Sequence, residues 1–133
     1  MTESKLRFVN PFVKSLQYNL LESFEQGKPV KIHNQFNVTI SKAESSNEAM
    51  VDLKITVDET SENSPFSFEI VMASFFKWDD CYDEITVNNL LSINAPALLL
   101  GYARPIISVM TSSCPGGAYN LPFYNFVNQE KKD

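Results

Sequence analysis

The amino-acid sequence predicts an α+β fold: a four-stranded antiparallel sheet, meander or Greek key, covered by a C-terminal helical segment. Three observations carry this. Strong alternation of apolar and polar residues recurs in four segments of the first half, the pattern of strands with one apolar face. Short polar stretches join the segments, as antiparallel neighbours allow. The last third is apolar without alternation, and a one-sided sheet needs such a cover.

The first strand is expected over residues 13–25, with Leu16, Tyr18, Leu20 and Phe24 on one face and Gln17, Asn19, Leu21, Ser23 and Glu25 on the other. Gln26-Gly27-Lys28-Pro29 is turn chemistry. In the second strand Val30, Ile32, Phe36, Val38 and Ile40 oppose Lys31, His33, Gln35, Asn37 and Thr39, and Asn34 interrupts the apolar row. After the polar loop 44–48, Val51, Leu53, Ile55 and Val57 oppose Asp52, Lys54, Thr56 and Asp58. A second polar loop, 59–64, leads to Phe66, Phe68, Ile70 and Met72 opposite Ser67, Glu69 and Val71. Phe75, Phe76 and Trp78 continue beyond this alternation.

Residues 83–91 read as a short helix whose acidic start suits the helix dipole. A longer helix follows Asn94-Ala95-Pro96. Proline is awkward in a helix interior, so two segments or a kink are expected at Arg104-Pro105. Pro115-Gly116-Gly117 is expected to end the helix, residues 119–123 to be extended, and the charged tail 129–133 to fray.

The 133 residues fit one domain with a core of its own. A formal charge of -5 disfavours nucleic acid, whose phosphates need a basic surface. No apolar run is followed by a small-residue cleavage site at the N-terminus, and the longest apolar run, 95–103, is too short to span a bilayer. Cys81 and Cys114 lack metal-ligand spacing, and two unpatterned thiols suit a reducing cytosol. A cytoplasmic location without membrane insertion is therefore expected, and the sequon Asn37-Val38-Thr39 is a chance match.

Residues that carry catalysis are scarce. His33 falls on the polar face of its strand, and nothing in the sequence brings it to Cys81 or Cys114, so a small cysteine hydrolase is the weakest reading. Asp79, Asp80, Asp83 and Glu84 have neither the spacing nor the glycine of a calcium loop and read as a solvated turn. Gly116-Gly117 lacks phosphate-loop context. No enzyme activity, metal or cofactor is expected. Phe36, Phe75, Phe76, Trp78 and Tyr119 are the candidates to line a groove for extended apolar polypeptide.

Three pieces of the chain, in order, resemble the SecB family of protein-export chaperones. Residues 64–76, Ser-Pro-Phe-Ser-Phe-Glu-Ile-Val-Met-Ala-Ser-Phe-Phe, are similar to that family's last strand. Residues 94–104, Asn-Ala-Pro-Ala-Leu-Leu-Leu-Gly-Tyr-Ala-Arg, resemble the start of its long helix, and residues 119–126, Tyr-Asn-Leu-Pro-Phe-Tyr-Asn-Phe, a segment near its end. The resemblance implies a four-stranded sheet with a long helix, assembled as a dimer of dimers. It also implies binding of unfolded or export-destined polypeptides in apolar grooves and their delivery to the SecA motor. Acidic residues on the family's outward sheet face dock SecA; Glu25 and Glu69 match two of them, and strand parity puts both on polar faces. A further acidic position falls on Leu21. Gly101 stands where the family usually has proline, Pro105 where its helix carries a charged residue, and the sequence runs only a few residues beyond Phe126, where the family is expected to have a second helix.

The resemblance thus implies a divergent, shortened chaperone acting without ATP. The alternative is an interaction protein dedicated to a single partner, such as an antitoxin. Ile106, Ile107, Val109 and Met110 cover more than one helical face, a surplus that suggests a second helix from another subunit. Ala103, Ser108 and Ser112 would permit close approach. A homo-oligomer is expected, a tetramer by resemblance, with Ile107 or Met110 in the helix contact.

Overall fold

The alternating segments form one antiparallel sheet, described in a computed structural model over residues 6–58 and 60–127. Its strands are β1 (Arg7–Phe8), β2 (Phe12–Leu20), β3 (Asn34–Lys42), β4 (Glu48–Val57) and β5 (Phe66–Lys77). β1 and β2 pair with successive stretches of one edge of β5, Phe8 opposite Phe76 and Phe12 opposite Ala73. They are one lane interrupted at Asn10-Pro11, where proline has no N–H for the ladder. The lanes run β1/β2, β5, β4, β3. Three hairpin-connected strands and a first lane that returns beside the last make a Greek key.

The expected first strand is too long at its C-terminal end. β2 stops at Leu20, and residues 21–33 form the crossover to the far edge. Val30 and Ile32, expected in the second strand, belong to that crossover. Asn34 opens β3 on the apolar face because its amide lies 2.7 Å (Nδ2) and 2.9 Å (Oδ1) from the Tyr119 hydroxyl. β5 is longer than expected. Its alternation continues through Ser74 and Phe76, both buried, because the Ser74 hydroxyl donates to the Val9 carbonyl at 2.8 Å and so fits an otherwise apolar row.

Helix α1 (Glu84–Asn89) begins where expected. The Asp83 carboxylate accepts from the Thr86 N–H at 2.7 Å, an N-cap. Bonds from Thr86 hold that carboxyl below the usual aspartate range, so the cap is complete above that range and is lost as acid protonates it. A π-helical turn, Leu90–Asn94, joins α1 to α2 (Ala95–Thr111). The Ala95 N–H reaches back to the Leu90 carbonyl. Pro96 next to it offers no N–H, so an α-helical ladder could not have been completed there.

The break therefore lies at residues 90–94, and α2 runs through Pro105. The residue four before Pro105 is Gly101, exposed and with nothing within 4 Å of an added Cβ. The carbonyl that proline leaves without its usual partner thus belongs to an open, side-chain-free position. The helix ends at Thr111, and Gly116 and Gly117, at φ 95° and 87°, turn the chain back across the molecule.

The helical run 84–111 is long and apolar enough to cross a membrane by length and composition, which the shorter run 95–103 did not convey. Its packing gives it another role: Leu91, Leu99, Ala103 and Ile107 are buried with Leu53, Ile55, Ile70 and Met72 in the core. α2 lies over the central strands β4 and β5. The tail from residue 128 onward lies outside the described residues.

Candidate functional site

A helix over the central strands does not reach the edge strands; Tyr124 and Phe126 cover Phe36 on β3, whereas β2 is left uncovered, and the site follows from that. Leu16, Tyr18 and Leu20 pair in register with Ile70, Phe68 and Phe66, so they share the helix-side face. Their partners are buried, yet Leu16 is 46% and Leu20 57% exposed. An apolar row on a long edge strand is a surface that soluble proteins usually cover.

Phe66, the register partner of Leu20, lines a concavity of about 210 Å³. The crossover supplies Phe24, Val30 and Ile32, β5 and its approach supply Pro65 and Phe66, and the turn after α2 supplies residues 115–119. The lining is mainly apolar. Burial pushes the Tyr119 hydroxyl pKa up, so the ring wall stays neutral. Non-directional apolar walls suit side chains of varied shape and offer no group that performs chemistry.

The crossover is fastened to the turn before β5. Lys31 and Glu62 exchange backbone bonds of 2.8 and 2.7 Å, and the His33 N–H donates to Ser61 Oγ at 2.9 Å. Asn63, at φ 51°, accepts from the Glu25 N–H at 2.8 Å and donates to the carbonyls of Glu25 and Lys28 at 2.9 and 3.2 Å. Asparagine tolerates this left-handed backbone better than most residues. Asn63→Ala removes three bonds and adds strain, so we expect a loss of about 2 kcal/mol. A lowered Tm and faster amide exchange in residues 21–33 are the readout.

The five aromatic candidates do not form one groove. Tyr119 lines the concavity. Phe36 lies on the helix side but is stacked beneath Tyr124, with ring centroids 4.4 Å apart. Phe76 is fully buried in the core and cannot line a groove. Phe75 is on the opposite face, beside Phe12, where it borders a second concavity of about 410 Å³ with Val9 and Met50. Trp78 is half-buried just beyond β5. The exposed leucines of β2 and Phe24, Val30 and Ile32 were not singled out. Their sequence signal is the apolar rows of the first two segments, which alone do not say which strand ends at an edge.

Glu69 lies on the outer face, its carboxylate 3.2 Å from Lys54 Nζ. Glu25 is exposed but sits in the crossover, so strand parity does not reach it. Leu21 is half-buried, its N–H donating to the Pro65 carbonyl at 2.9 Å. Ile107 is fully buried in the chain's own core and Met110 half-buried. The exposed positions of α2 are Ala97, Gly101, Tyr102, Pro105 and Val109, so Ile107 is not available for a contact with another subunit.

The acidic cluster has structural duties: Asp79 pairs with Arg7 at 2.9 Å, Asp80 accepts from Asn47, and Asp83 caps α1. Among the described residues, no group of three or more His, Cys, Asp or Glu could hold a metal ion. Cys114 is buried and donates to the Gly117 carbonyl at 3.2 Å; Cys81 is exposed.

The family model of the preprotein translocase subunit SecB matches residues 2–128. The chain belongs to the SecB family. Among solved structures, this SecB-family chain is similar to the Mycobacterium tuberculosis Rv1957 SecB-like chaperone in complex with a ChAD peptide from the Rv1956 HigA1 antitoxin. That match has a TM-score of 0.74 and 11% identity and covers 91% of each chain. A protein of unknown function from Streptococcus agalactiae matches with a TM-score of 0.53 and 13% identity, over 92% of this chain and 100% of that one. No curated protein sequence matches. The expected α+β SecB-like fold is thus observed, and the family is one of chaperones rather than enzymes.

Proposed function

We propose that this SecB-family chaperone acts without ATP, capturing extended apolar segments of other polypeptides on the helix side of its sheet. The observation that carries this is the exposure of Leu16 and Leu20 on the helix side, with Leu20 paired to Phe66, a wall of the concavity under the crossover. A client segment would lay alternate side chains along the row and into the concavity. Burying apolar area at about 25 cal/mol per Å² gives affinity without sequence specificity. Client held in this way is withdrawn from aggregation by mass action. The purified chain should suppress aggregation of a chemically denatured enzyme at near-stoichiometric ratio, with no change on adding ATP. Aggregation that proceeds unaltered would sink the proposal.

A second reading is a chaperone dedicated to one partner. The similarity to a chaperone bound to an antitoxin peptide favours it, and so does Leu21, half-buried where the family carries an acid. Glu69, already paired with Lys54, offers a basic SecA surface less free charge. Purification from native cells separates the readings: one stoichiometric partner supports the dedicated role, whereas many substoichiometric ones with SecA support delivery for export.

Assembly belongs to the same proposal. Val109 is 74% exposed and Tyr102 43%, on an outer helix face that also holds Ala97, Gly101 and Pro105. Such a face suits a second helix, so we place the contact of a cytoplasmic homo-oligomer, a tetramer by family, at Val109 with Met110 beside it.

A further inference from the structure

α2 leaves two flanks on the sheet, and they differ in one respect. Beside β2 the flank is open. Beside β3 it is filled by the chain's own residues 119–127, which return from the turn after the helix. Leu121 and Phe126 are buried there, Tyr124 is stacked 4.4 Å from Phe36, and Phe126 meets Phe36 edge-on at 6.1 Å. Residues 119–125 of this segment lie outside helix and strand, Phe126 and Val127 are helical, and the whole is rich in aromatic residues and interrupted by proline. Chemically it is what the proposed site would accept from a client.

Side chains of other elements fasten it. The Tyr119 N–H donates to Thr111 Oγ1 at 2.7 Å. Arg104, on α2, donates from Nε to the Leu121 carbonyl at 2.8 Å and sets its guanidinium 4.0 Å over the Phe123 ring. That ring is 83% exposed and contributes little to the core. Its placement is explained by the arginine above it, a cation–π contact at the surface. A segment outside the sheet ladder can leave without breaking strand pairing, and its departure would uncover Phe36 and open the α2–β3 flank.

We propose that residues 119–127 are a displaceable strap that fills the α2–β3 flank in place of client, with Arg104 as its latch. The proposal rests on the chaperone reading above and deepens it. Preferred clients are extended segments that carry aromatic or leucine side chains at the spacing of Tyr119, Leu121, Tyr124 and Phe126. Client and strap compete, so apparent affinity is reduced by the fraction of chains whose strap is closed.

The test is hydrogen–deuterium exchange of the full chain with and without saturating reduced, carboxymethylated α-lactalbumin, which cannot refold. Amides of residues 119–127 should exchange about tenfold faster with client bound, as expected for a segment released from packing. Arg104→Ala, which loses one hydrogen bond and one cation–π contact, should bind this client about fivefold more tightly. A synthetic peptide of residues 118–127 should compete. Client that binds while the strap stays equally or better protected overturns the strap alone, as does an Arg104→Ala chain that folds but gains no affinity. A chain that binds no client overturns the chaperone reading and the strap with it.

Discussion

Ile107→Glu is expected to unfold the chain, and Val109→Glu to leave it folded while splitting the assembly. Ile107 is 0% exposed among Leu53, Leu99 and Ala103 in the core. Putting a carboxylate there removes an isoleucine's burial and strands a charge, at a cost of about 4 kcal/mol or more. Typical domains are stable by only about 5–15 kcal/mol, so the variant should melt far below the parent or fail to fold. Val109 is 74% exposed, and glutamate there costs the single chain little. On the proposed helix–helix contact the same charge would face an apolar partner and separate the subunits. Circular dichroism melts read the first effect and light scattering the second. A folded Ile107→Glu chain would show that the core is misassigned. A Val109→Glu chain of unchanged mass would move the subunit contact elsewhere.

Leu20→Glu combined with Val30→Glu should reduce client binding by at least tenfold without changing the fold. Both side chains are about half exposed, Leu20 on the β2 row and Val30 in the crossover wall. Each loses part of a contact worth about 1.5–3 kcal/mol when fully made, and each adds a charge that a bound client would have to desolvate. Phe75→Glu, on the opposite face, serves as the control and should leave binding nearly unchanged. Binding of reduced, carboxymethylated α-lactalbumin, followed by fluorescence anisotropy, measures all three. Equal losses from Phe75→Glu would mean that clients bind around the second concavity instead.

Alternation made the sheet legible in the sequence wherever both neighbours of a strand are present. β4 is central, its inward residues Ala49, Val51, Leu53, Ile55 and Val57 are all buried, and the alternation marks Val51 to Val57 correctly, although the strand begins at Glu48, inside the stretch that reads as a loop. The limits of the reading came where a polar residue fits the apolar face through one specific partner. Ser74 bonds to Val9 and Asn34 to Tyr119, and those long-range contacts leave no mark in local periodicity. The crossover illustrates a second limit. Val30 and Ile32 continue the alternation of β3, yet their stretch is held to the 61–63 turn instead of to a sheet neighbour. Proline misled in the helix for a third reason. Position 105 looked disruptive, but Gly101 four residues earlier relieves it, whereas Pro96 sits where the ladder changes register.

The candidate site was legible in kind and not in place. An aromatic, apolar surface without catalytic groups was evident from composition and from the resemblance. Which aromatics face solvent depends on how far α2 reaches across the sheet, and a seventeen-residue helix over two strands leaves the β2 edge bare. That single geometric fact turns Phe76 into core and makes Leu16, Leu20 and Val30 the exposed residues.

Photo-crosslinking tests the central claim most directly. An unfolded client carrying a photoreactive phenylalanine analogue, bound to the full chain and irradiated, should attach to residues 16–32 and 115–119, the β2 row and the walls of the crossover concavity. Attachment confined to the outer sheet face around Phe12, Met50 and Phe75, or no attachment above that of a folded control protein, would contradict the account.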